Sequence, residues 1–150
     1  VEQAKIPELV QVYAKRYEDM IQVGIKQCGM FPGTKEALAA LSGRFAIYLV
    51  CQTPRASLRE PLDHFGITAF FKGIHDSSGS VLENLRKIMA ENNIPPGKIV
   101  MIGSDDKHWE AARQCGVRFV GVPNEYNKWE VGKTTFLLIE NLVVLTGQSV

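Results

Sequence analysis

From Ile6 to about Lys26 the apolar residues Ile6, Leu9, Val10, Tyr13, Tyr17, Met20, Ile21 and Ile25 recur at steps of three and four, the stripe of an amphipathic helix that Gly29 ends. A Pro32-Gly33 turn follows, and "TKEALAALS" reads as a second helix with acidic Glu36 in its first turn and Gly43 as its stop. The pattern then changes. "FAIYLVC" (45–51) is a continuous apolar run with β-branched and aromatic members, which suits a strand buried on both faces. "PRASLREPLDHFG" reads as a helix opening at Pro54 and closing at Gly66, and "FFKGIHD" as a short strand. "SSGSVLENLRKIMAENN" is a loop feeding a helix with Leu82, Leu85, Ile88 and Met89 inward, and "KIVMIG" (98–103) is a second buried strand. "KHWEAARQCG" reads as a short helix, "RFVGVP" as a strand, and "TTFLLIENLVVLTG" as a brief strand with a last helical turn or two. Strand–helix units spaced by 20–30 residues argue for an α/β, Rossmann-like, doubly wound parallel sheet with helices on both faces.

Composition narrows the function classes. A chain of 150 residues with 45% hydrophobic content is sized for one globular unit. Lys and Arg total 17 against 16 Asp and Glu, a net charge of +1 without long like-charge runs, so neither nucleic acid nor an anionic membrane is an expected partner. Cys28, Cys51 and Cys115 are widely spaced and match no zinc or redox motif, which points to reduced thiols in a cytoplasmic or other reducing intracellular compartment. No apolar stretch approaches the roughly 20 residues of a spanning helix, and "VEQAKIPELVQ" has no signal-peptide form. A soluble protein is expected, and the initial Val suggests a processed or truncated piece.

Ligands of open parallel sheets bind where strands end and loops lead into helices. At Cys51-Gln52-Thr53-Pro54 the structural reading is a helix start capped by Thr53, and the functional reading is phosphate binding by Cys51, Gln52, Thr53 and free N–H groups. "HDSSGS" (75–80) is a polar loop with Ser80 as cap and Glu83 as its capping-box partner, and it carries no lysine to strengthen a phosphate cradle. In "GSDDKH" (103–108), Asp105 and Asp106 are either first-turn helix acids or hard oxygen ligands for Mg²⁺. His64 reads as a helix-end cation, and Trp109 and Trp129 as packing residues. No G-x-S-x-G, Walker A or G-x-G-x-x-G occurs.

The run "FPGTKEALAALSGRFAIYLVCQTPRASLREPLDHFGITAFFKGI" followed by "NNIPPGKIVMIGSDDKHWEAARQCGVRFVGV" resembles the haloacid dehalogenase superfamily, in its phosphoglycolate-phosphatase-like branch. The resemblance covers about residues 31 to 145 and implies a cap-like helix at 1–30 before an α/β core at 31–150. It also implies phosphoryl transfer through an aspartyl intermediate by four motifs around Mg²⁺. Here the first, D-x-D-x-T, has no counterpart in the chain. Cys51 aligns with the second motif's Thr or Ser, Val81 lies near the third motif's Lys, and Ser104 and His108 stand where the fourth motif's two acids belong. A one-residue slip would substitute Asp105, with Glu110 as a distant second acid.

The family's first strand lies between those ending at Cys51 and Gly103. An upstream segment, a partner chain, or direct pairing of the two strands must therefore satisfy their edges. The expectation is a pseudoenzyme, a non-catalytic binding or structural module without a resident cofactor. The alternative is a Mg²⁺-dependent phosphohydrolase acting on a small phosphate ester, with its nucleophile strand upstream or in a partner chain.

Overall fold

The first helix, α1 (Ile6–Cys28), ends at Gly29 with a φ of 72°, and α2 (Thr34–Ser42) begins after the Pro32-Gly33 turn. The computed structural model describes residues 5–147, so the outermost residues of the two expected segments, 1–4 and 148–150, lie outside the described residues. Alternation of strand and helix then follows as β1 (Ile47–Val50), α3 (Arg55–Phe65), β2 (Phe71–His75), α4 (Val81–Asn92) and β3 (Val100–Gly103). After these come α5 (Asp106–Cys115), β4 (Arg118–Gly121), β5 (Leu137–Leu138) and a 3₁₀ turn at Leu142–Thr146.

Every strand pair is parallel, with α3 crossing from β1 to β2 and α5 from β3 to β4, as the spacing predicts. The pairing nevertheless falls into two sheets, β1-β2 and β3-β4-β5. Direct pairing of β1 with β3, one of the three expected solutions, is not what the chain does. The Ile99 and Gly103 carbonyls accept from the Arg118 and Val122 N–H groups at 3.3 and 2.9 Å, so β3 turns one set of amides toward β4. Val100 and Ile102 turn theirs the other way. On β1 the Cys51 N–H donates to the His75 carbonyl at 2.9 Å, which leaves Tyr48 and Val50 on the edge away from β2.

Two clusters form the core. Val81 and Leu85 of α4 pack with Met101 of β3, Ala111 and Ala112 of α5, and Phe119 of β4, and Val50 of β1 reaches into the same cluster. On the other side, Leu38, Leu62 and Ile67 pack with Leu49 and Ile74. The residues Leu49 and Val50 thus point to opposite layers, which is why this strand reads as an unbroken apolar run. Trp109 and Trp129 are packing residues as expected, in ring contact with Phe136 at 4.9 and 5.0 Å.

Candidate functional site

At the carboxyl end of β1 the backbone turns so that the Thr53 N–H donates to the Cys51 sulfur at 3.4 Å. Thr53 does not cap the helix: Pro54 is the N-cap and supplies no side-chain bond, a correction that follows from the extra residue in this turn. The Thr53 carbonyl accepts from the Ser77 N–H at 3.2 Å, and the Gln52 amide donates to the Gly79 carbonyl at 3.4 Å. Cys51, Gln52 and Thr53 therefore meet the 77–79 loop.

That loop is fixed from below. Asn84, buried on α4, donates its amide to the Asp76 and Gly79 carbonyls at 2.8 and 3.2 Å. Asp76 accepts from the Ser78 N–H at 2.9 Å and lies 3.3 Å from the Arg55 guanidinium. The Ser78 contacts, with Arg55 behind them, hold the Asp76 carboxyl below the ordinary aspartate range. Ser80 and Glu83 form the predicted capping box, and its hydrogen bonds lower the Glu83 carboxyl in the same way. Val81, near which the sequence resemblance sets the third motif's lysine, is the first residue of α4 and is buried in the core.

The end of β3 is a second polar cluster. Asp105 is the N-cap of α5, its carboxylate accepting from the His108 N–H at 2.8 Å, while Asp106 is exposed in the first turn. The His108 ring folds back over Gly103, where an added Cβ would fall 2.6 Å from the His108 Cβ. Its Nδ1 is enclosed, 3.3 Å from the Asp105 carboxylate, without a well-angled hydrogen bond. Two residues outside the predicted set complete the cluster. The amides of Asn124 and Asn127 both donate to the Ser104 carbonyl, at 3.2 and 2.9 Å. The asparagine-rich "PNEYN" turn after β4 was the available signal, since asparagine side chains close such turns on the backbone. Among the described residues no hydrogen bond or ion pair joins the β1-end group to the β3-end group.

A haloacid dehalogenase-like hydrolase family model matches residues 1–122. The chain belongs to that family. Among solved structures, a haloacid dehalogenase-like hydrolase from Streptococcus pneumoniae is similar over 98% of this chain and 71% of its own, at 20% identity and a TM-score of 0.74. The Bacillus subtilis HAD-hydrolase YfnB, bound to magnesium, matches at 17% identity and a TM-score of 0.75 over 89% of this chain and 60% of its own. A predicted phosphoglycolate phosphatase from Haemophilus somnus matches at 18% identity and a TM-score of 0.67 over 80% and 58%. The chain thus spans less than two thirds of the latter two structures. No curated protein matches it. At these identities the likeness establishes the haloacid dehalogenase fold, with the expected Rossmann-like α/β arrangement.

Magnesium is the metal this family implies. The residues at the β3 end do not fit it: Ser104 and His108 bring no carboxylate, and the Asp105 carboxylate is engaged in capping. Among the described residues no group of three His, Cys, Asp or Glu side chains is placed to hold a metal ion. No helix among them is long and apolar enough to cross a membrane.

Proposed function

We propose that this haloacid dehalogenase-like domain is a non-catalytic binding or structural module. The observation carrying this reading is His108, a residue that the sequence resemblance aligns with the family's second metal acid, whose imidazole packs on Gly103. Buried Val81 supports it, because an aliphatic side chain cannot offset charge between a nucleophile and a phosphate. Cys51 supports it as well, since a thiol is a weak donor. Phosphoryl transfer depends on positioning and charge neutralisation, and this constellation supplies little of either.

On the same reading α1 is the end of a cap-like segment, residues 31–150 are the core, and the facing edges of β1 and β3 receive a strand from upstream or from a partner polypeptide. Three free cysteines suit a reducing intracellular compartment.

The test is Mg²⁺-dependent hydrolysis of p-nitrophenyl phosphate by the full-length protein, with Asp105→Asn and Asp106→Asn alongside. No turnover above the protein-free rate is expected from any of the three. Robust turnover abolished by either substitution would overturn the reading in favour of a phosphohydrolase with its nucleophile strand supplied from elsewhere.

A further inference from the structure

Proline breaks the hydrogen-bond ladder of a helix interior, yet Pro61 stands buried inside α3. Having no N–H, it leaves the Ser57 carbonyl, four residues back, without its partner in the helix. That carbonyl is satisfied from another element: the Gln22 side-chain amide of α1 donates to it. The same Ser57, only 7% exposed, donates its hydroxyl to Glu18. One turn further along α1, Lys26 pairs with Glu60. Positions 18, 22 and 26 lie on successive turns of one face of α1, and all three meet α3 within residues 57–60. Among the described residues neither core cluster draws a side chain from α1, so the grip of α3 on this helix is polar. It is also directional. The Gln22 Oε1 is enclosed with no hydrogen-bond partner among the described residues, so the seat is built for the donor half of the amide.

We infer that Ser57 and Pro61 form a docking socket for α1, in which Pro61 frees a carbonyl where α3 meets α1 and Gln22 fills it. In an uninterrupted helix that carbonyl would be spent on its own chain. The residue that weakens α3 internally is thus the one that joins it to α1, and the two helices move as one body. The socket also sets how α1 is rotated. With positions 18, 22 and 26 turned to α3, the apolar line through Val10, Tyr13 and Tyr17 stands on the other side of the helix. On the reading of α1 as the end of a cap-like segment, on which this one consequence rests, the socket fixes where that segment stands over the core.

Hydrogen exchange of the full chain, read by mass spectrometry on peptides of α1 and of α3, tests the socket. Gln22→Met keeps the length and helix propensity of the side chain and removes the donor. Peptides of α1 are expected to exchange roughly three- to tenfold faster in this variant, the loss of about one hydrogen bond, with α3 unchanged. Pro61→Ala returns to Ser57 a partner inside its own helix. There α3 is expected to exchange more slowly and α1 faster, two opposite changes from one substitution. The double variant should release α1 no further than Pro61→Ala alone, because both substitutions remove the same bond. Pro61 is buried, and should Pro61→Ala fail to fold, Gln22→Met decides alone. An α1 indifferent to Gln22→Met, slower exchange of both helices in Pro61→Ala, or additive effects in the double variant would overturn the socket. None of these readings depends on whether the domain hydrolyses a phosphate ester, so each proposal stands or falls on its own experiment.

Discussion

Gly103 and His108 are matched to each other: the glycine gives the imidazole its seat, and the imidazole closes the end of β3. Because the atom an added methyl would meet is the His108 Cβ, next to the backbone of α5, no rotamer change relieves the contact. Gly103→Ala should therefore cost about 1–3 kcal/mol, the range for overpacking, read as a lower denaturation midpoint with unchanged slope. Asp76 governs a different dependence. Its carboxyl is held low in the folded protein, so its contribution is complete above the ordinary carboxylate range and fades as the pH falls through it. Protection of the Ser78 amide against hydrogen exchange is expected to persist through the ordinary aspartate range and to drop only on acidification below it, and in Asp76→Asn this acid-dependent step should be absent.

Elements whose ends are set by adjacent residues were the most legible. Helix α4 begins where Ser80 and Glu83 say it should, because a capping box closes within four residues and needs nothing from the rest of the chain. The Asp105 cap is of the same kind. Thr53 was misleading because the helix starts one residue later than the apolar pattern implies, which makes Pro54 the N-cap and leaves the Thr53 hydroxyl outside the capping position. The span of α1 was readable and its orientation was not: periodicity marks an apolar face, and says nothing of which neighbour takes it. Strand lengths came out shorter than the apolar runs, four residues for β1 against seven in the run, since pairing rather than hydropathy sets where a ladder stops. The Asn124–Asn127 clamp on Ser104 joins residues about twenty positions apart and was visible only as a turn composition.

For the whole molecule, the order of segments carried the fold, since parallel strands need helical crossovers and leave few ways to arrange them. The division into two sheets was foreseeable only as an unmet requirement for strand pairing, and the structure shows which solution is not adopted. That division has a consequence for folding. Each sheet is a local strand–helix–strand unit, and α4 bears on both: Val50 from one and Met101 from the other meet the side chain set of Val81 and Leu85. The molecule should therefore unfold as one unit only while that helix couples two separable halves. Both tryptophans sit in the β3–β5 half, so fluorescence reports one half while circular dichroism reports both. In the wild type the two unfolding curves are expected to coincide. In Leu85→Ala, beyond a loss of about 2–5 kcal/mol for a buried leucine, they should separate; coincident curves in that variant would mean that cooperativity is carried by contacts other than α4.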